Sequence, residues 1–162
     1  EGDARYVPCR FALSDEPGTL ELNLTESVGS TSRFKPNERF EKTYPNVGTV
    51  TETCSVPMVT IDQWRRDNGN PAIELMKLDI QAGELLALKG GIETLQEQTL
   101  LIYTEVFFNP MYEDGALFGD LDAFLRTIGF SLYNIYKPHA DEAGMLVQGN
   151  AIYIQAEKLG LA

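Results

Sequence analysis

The sequence is poor in the residues that build disulfide frameworks and metal centres. It has two cysteines, Cys9 and Cys54, and a single histidine, His139, in 162 residues. Neither cysteine belongs to a C-x-x-C pattern, which argues against a redox or zinc motif, and both fall in strand-like segments. They read as buried or half-buried thiols of a reducing, cytoplasmic compartment. Positive charge is scarce too: 13 Lys and Arg against 24 Asp and Glu leave a net charge of −11. No basic cluster could follow a nucleic-acid backbone or an anionic membrane surface, and Arg65-Arg66 reads as a solvated helix face. No apolar run reaches the ~18 residues of a candidate membrane span. Hard cations take carboxylates, but without an Asp-x-Asp loop or a His-bearing ligand motif no metal site is expected.

What is present is an ordinary apolar fraction, 43%, in a chain long enough for one domain over 1–162 with its own core. Arg5 to Leu13 reads as a strand with Tyr6, Val7, Phe11 and Leu13 as apolar members. A Ser14-Asp15-Glu16-Pro17-Gly18 turn follows, then an alternating strand from Thr19 to Thr25. Strand, Pro-Gly turn and strand suggest a hairpin. Residues 26–49 carry no periodicity and read as a long surface loop of the kind that is often functional. Val50 to Val59 is a further strand. Thr60-Ile61-Asp62-Gln63 has capping-box spacing, with Ile61 and Trp64 facing the core.

The central stretch runs from Ile73 to Leu95. An apolar-rich segment to Ile80 hands over to a helix through a polar turn, and Leu85, Leu88, Ile92 and Leu95 share one helical face. Gly90-Gly91 inside that pattern means either a very close approach to the sheet or a break. Thr99 to Phe108 is apolar around Glu105, as in a strand covered on both faces. Leu117, Phe118, Leu121, Phe124, Leu125 and Ile128 form a helical stripe, preceded by Glu113-Asp114 and closed by Gly129. Phe130 to Tyr136 and Ala151 to Gln155 are two closing strands, expected as an antiparallel pair at one edge, with His139 in the polar connection. The alternation is α/β. Ligands of open α/β sheets bind at the carboxyl ends of strands, and Asp79, Gln81 and Glu84 fall at such an end. Glu105 interrupts an apolar strand, so its carboxylate needs a partner or a shifted pKa.

Lys77-Leu78-Asp79-Ile80-Gln81, a small pair, then Glu84-Leu85 and Leu88-Lys89-Gly90 together resemble the signature of FkbM-type methyltransferases. This chain has Ala82 before Gly83 where the family usually has Gly before Ala. Four further segments extend the likeness: Phe11-Ala12-Leu13-Ser14-Asp15 with Gly18; Val59-Thr60-Ile61-Asp62; Glu105-Val106 with Tyr112 and Leu117 to Phe130; and Gln148-Gly149-Asn150-Ala151-Ile152-Tyr153. Gly29-Ser30-Thr31-Ser32 resembles the family's small-residue stretch. The resemblance implies a class I methyltransferase-like (Rossmann-like) sheet and methyl transfer from S-adenosylmethionine to a hydroxyl of a small molecule or sugar.

It also implies site roles. Asp79 and Glu105 are the catalytic candidates; Ser14, Asp15, Asp79 and Gln81 would contact the cofactor, and Glu84 the acceptor. The glycine-rich strand–turn–helix and the ribose-binding acid of such enzymes have no counterpart in this sequence. The chain is therefore expected to be the C-terminal part of the fold, with the cofactor-binding strands missing and an open edge beside the central strand that invites association. The rival expectation is a non-catalytic binding or scaffold module on a methyltransferase-like half-fold.

Overall fold

The computed structural model describes residues 6–161, which form two sheets with helices against them. The first sheet has the order β1-β3-β2, from Ala12–Leu13 (β1), Gly18–Thr25 (β2) and Val50–Val59 (β3). β1 runs parallel to β3 and β2 antiparallel to it. The expected β1–β2 hairpin is thus replaced by two strands flanking a third. β3 is ten residues long and supplies partners to both, whereas β1 pairs through only two residues. The longer first strand does not form: Tyr6 and Val7 are 74% and 75% exposed, and Arg5 lies outside the described residues. Cys9 is accordingly exposed rather than buried, Cys54 is partly buried, and both thiols are free.

The second sheet has the order β4-β5-β7-β6, from Leu75–Leu78 (β4), Leu101–Phe107 (β5), Ser131–Ala140 (β6) and Leu146–Ile154 (β7). β4 and β5 are parallel, while β7 is antiparallel to both β5 and β6. The expected antiparallel pair at one edge is present. It is longer than its apolar residues suggest, and His139 belongs to strand β6 rather than to a loop. An edge strand shows much of its length to water, so it reads as polar, and it tolerates Pro138 because one row of backbone groups is not needed for pairing. Among the described residues, no strand pairs with the other edge of β4.

The main core gathers Met76 and Leu78 of β4, Ile102 and Val106 of β5, and Ala151 and Tyr153 of β7. Against them pack Ala87 and Leu88 of α3 (Glu84–Lys89), Leu95 of α4 (Ile92–Glu97) and Leu121 and Leu125 of α5 (Phe118–Thr127). The central helix pattern therefore breaks at Gly90-Gly91, and the break turns Ile92 out to 38% exposure. Asp62, on α2 (Ile61–Asp67), exploits it: its carboxylate accepts from Thr94 N at 2.8 Å, Thr94 Oγ1 at 2.6 Å and Glu93 N at 3.1 Å. A side chain of one helix so caps the start of another. Thr60 Oγ1 accepts from Gln63 N at 3.0 Å, as the capping spacing predicts. Arg65, expected in solvent, is only 8% exposed and pairs with Glu97 at 2.8 Å; its position on α2 faces α4, not water.

Residues 26–49 are not a structureless loop. A 3-10 turn spans Val28–Ser30, an isolated bridge joins Asn23 to Ser32, and α1 spans Glu38–Thr43. Phe40 of α1 nucleates a second core with Ala82, Phe107, Met111, Tyr112 and Val147. Asn37 Oδ1 accepts from Arg39 N at 3.0 Å and Phe40 N at 3.1 Å, and Asn37 Nδ2 donates to Pro110 O at 3.1 Å. Asn37→Ala is expected to lower stability by about 1–2 kcal/mol in thermal denaturation, the worth of an N-cap and a tertiary hydrogen bond. An unchanged melting temperature would mean that α1 is held by Phe40 alone.

Candidate functional site at the carboxyl ends of β4 and β5

The turn after β4 is under backbone strain. Gln81 and Ala82 have φ of 55° and 71°, in the left-handed region that costs a non-glycine residue roughly 1–2 kcal/mol. Gly83, with φ −84°, does not use its freedom there. Three contacts hold the turn: Glu84 Oε1 accepts from Ile80 N at 2.7 Å, Ser32 Oγ donates to the Gln81 carbonyl at 2.6 Å, and Tyr112 Oη donates to Gln81 Oε1 at 2.8 Å. Two of these come from segments distant in sequence, so tertiary contacts from Ser32 and Tyr112 set the shape of the turn. Strain kept in place by surrounding structure is a recurrent property of functional sites.

The turn brings acids together. Asp79 is at the surface, ion-paired with Lys77 at 2.9 Å, and its Oδ1 accepts from Gln81 Nε2 at 3.1 Å. Glu84 opens α3 and is 3% exposed; burial pushes its pKa up to about 7, against hydrogen bonds from the Ile80, Glu84 and Ala82 amides. Glu105 is on β5, 9% exposed. Its Oε1 accepts from Gln148 Nε2 at 3.3 Å, across the β5–β7 pairing, and its Oε2 has no partner. Burial first, then the charges of Asp79 and Glu84, push its pKa up to about 8, opposed by Lys77 and the Gln81 amide. Tyr112 and Tyr44 face the same acid, and their hydroxyls are shifted upward, chiefly by burial and next by Glu105. Among the described residues, no group of three or more His, Cys, Asp or Glu is arranged to hold a metal ion.

The expected site residues thus fall into two groups. Asp79, Gln81, Glu84 and Glu105 converge, with Glu84 closing its own turn. Ser14 and Asp15 lie at the end of β1. Ser14 is fully buried, donates to Asp15 Oδ1 at 3.0 Å and accepts from Arg33 Nη1 at 2.9 Å. Arg33 and Asp79 both line an apolar groove of about 900 Å³, walled by Leu13, Leu22 and Ile80, between the end of β1 and the turn after β4. Sequence reasoning missed Tyr112, Ser32, Arg33 and Gln148 as contacts. Tyr112 and Gln148 stand in segments that carry the family likeness, but nothing local marks a tyrosine beyond Asn109-Pro110 as the partner of a glutamine 31 residues away.

A mixed α/β domain with acidic side chains at the ends of two adjacent parallel strands places them where open α/β sheets bind ligands. The particular family follows from comparison. The model of the methyltransferase FkbM domain matches residues 4–132, and the chain belongs to that family. The match covers the strained turn, Glu105 and Tyr112 but ends at the start of β6, before Gln148. No curated protein and no solved structure matches the chain.

Proposed function

We propose that this chain carries the acceptor side of an S-adenosylmethionine-dependent methyltransferase that modifies a hydroxyl of a small molecule or sugar. The observation that carries the reading is the convergence of Asp79, Gln81 and Glu105 beside the groove between β1 and β4, in a member of the methyltransferase FkbM family. The residues present suit such a donor. Leu13, Leu22 and Ile80 offer apolar wall to an adenine ring, and Asp79, which lines the same groove, offers negative charge to a cationic sulfonium. When bound, the donor supplies an electrophilic methyl group.

The protein's own contribution is positioning and proton handling. Glu105 keeps its proton at neutral pH and donates a hydrogen bond from Oε2 toward an acceptor oxygen. Asp79, solvent-facing and paired with Lys77, is the carboxylate that orients the acceptor and takes its proton. A buried acid that holds its proton beside an exposed carboxylate divides the acid and base roles. Residues 26–49 shape the acceptor side through Ser32, Phe40 and Tyr44. The open edge of β4 is where a further strand, from a longer chain or another copy, would add to the sheet and complete the donor side.

Calorimetric titration with S-adenosylhomocysteine, followed by transfer of labelled methyl to a panel of sugars and alcohols, tests the reading. Binding and transfer are expected, with Asp79→Asn lowering kcat by about 10²-fold or more as befits a general base. Neither binding nor transfer, with the strands beyond β4 supplied, would leave a binding module. The absence of a glycine-rich strand–turn–helix from this sequence favours that second reading for the chain by itself.

A further inference from the structure

Tyr112 is 2% exposed, with its ring edge-on to Phe40 and Phe107 at centroid distances of 5.3 and 5.6 Å. Its hydroxyl lies 2.8 Å from Gln81 Oε1 and 3.3 Å from the Ser30 carbonyl. A phenol has one hydrogen to give, and the shorter contact takes it. The two ends of the Gln81 amide then cease to be equivalent. With Oε1 committed to Tyr112, Nε2 turns to the acids and reaches Asp79 Oδ1 at 3.1 Å. The reversed amide would set its carbonyl oxygen against the Asp79 carboxylate. The backbone of Gln81 is fixed separately by Ser32 Oγ, so the amide rotation is the remaining freedom, and Tyr112 removes it.

We propose that Tyr112 is a positioning residue of the acidic site, holding the Gln81 amide through Oε1 so that Nε2 faces the carboxylate of Asp79. The groups acting on Glu105 are Asp79, Glu84 and Lys77 together with the Gln81 amide, and Tyr44 and Tyr112 face it from the α1 side and the loop after β5. Of these, Gln81 is the one whose dipole can be reversed without moving the backbone.

The test is titration of Glu105 in the 162-residue chain by carbon NMR of labelled glutamate, with Glu105→Gln assigning the signal. Tyr112→Phe keeps the ring and its packing. It is expected to move the Glu105 midpoint up, because the Gln81 amide is among the groups that hold it down. Gln81→Ala is expected to give the same shift, and the double variant no more than either, as for two residues acting through one contact. A midpoint unmoved in Tyr112→Phe but moved in Gln81→Ala overturns the proposal, and so do additive shifts. Should Tyr112→Phe fail to fold, proton–proton contacts in the unmodified protein decide: Gln81 side-chain amide protons near Asp79 support it, and near the Tyr112 ring they overturn it.

The inference rests on the methyltransferase reading only for its kinetic arm. There, Tyr112→Phe lowers kcat with the acceptor KM unchanged, because the Gln81 amide no longer orients Asp79, the proposed base. A raised KM at constant kcat would assign Tyr112 to acceptor binding instead. The titration needs no turnover, so it decides the positioning role even if the chain transfers no methyl group.

Discussion

Glu105→Gln is expected to stabilise the protein at about pH 8.5 and to change it little at about pH 5, flattening the dependence of stability on pH. In the folded chain burial, Asp79 and Glu84 push the Glu105 pKa from the ordinary 4.5 up to about 8. Between those values the folded state binds a proton that the unfolded state has already released, so unfolding is favoured progressively as pH rises. The stability that goes with the protonated acid is complete below about pH 4.5, the unfolded value, and is lost through about pH 8, the folded one. At 1.36 kcal/mol per unit, the loss is on the order of 3–5 kcal/mol. Gln has the shape of the protonated acid, keeps an acceptor for Gln148 and cannot ionise. Denaturant unfolding at the two pH values reads the difference directly. A pH profile of Glu105→Gln that parallels the unmodified protein would mean that water reaches Oε2 and that Glu105 ionises without penalty.

Glu84 adds to the same slope, with its pKa raised to about 7. Glu84→Gln keeps an acceptor for the Ile80 amide, so the double variant with Glu105→Gln is expected to show almost no fall in stability between about pH 5 and 8.5. The two acids differ in consequence for the proposed chemistry. The Glu84 oxygen is committed to its own turn. Glu105 Oε2 has no partner, and a buried oxygen that the fold leaves unmatched is most simply matched by what binds there.

The sequence made the strands and helices of the second half legible because their periodicities are imposed by burial. β5 is covered on both faces and reads as continuous apolar sequence; α5 has one buried stripe and reads as a period near 3.6. The family likeness rests on the same elements and on the turn at Asp79. Three things were not legible. The pairing of β3 between β1 and β2 is a long-range choice, and the local Pro-Gly turn pointed to the wrong partner. Residues 26–49 hide α1 because six residues with one buried side chain, Phe40, set up no period. The site was half legible. Asp79, Gln81 and Glu105 are visible as acids and amides where a strand ends or an apolar run is interrupted, whereas Tyr112, Ser32 and Gln148 reach them through tertiary contacts that no spacing encodes. The strain at Gln81 and Ala82 runs against the sequence, which places its glycine one residue later.

Gly90→Ala is expected to destabilise the protein by about 3 kcal/mol or more, toward the top of the range for overpacking, while Gly119→Ala is expected to stabilise it by about 0.5–1 kcal/mol. The two substitutions are chemically identical, and neither glycine has the positive φ that would exclude alanine. They differ in surroundings. Gly119 is on the exposed side of α5 with nothing within 4 Å of an added Cβ. At Gly90 the Cβ would stand 2.1 Å from the Ser14 carbonyl oxygen and 3.1 Å from Thr60 Cβ. Ser14 cannot easily retreat: its amide donates to Val59 O at 3.0 Å and its hydroxyl accepts from Arg33 at 2.9 Å. The Gly90 carbonyl is likewise tied to the Asp62 amide at 3.0 Å. If Gly90 served only to break the helix, alanine would join α3 to α4 and raise stability. If it serves close approach, alanine forces β1 away from α3 and opens the groove between β1 and the turn after β4. Thermal denaturation of the pair separates the two roles, and opposite signs at the two glycines place the contact between the first sheet and the central helix among the interactions that hold the candidate site in shape.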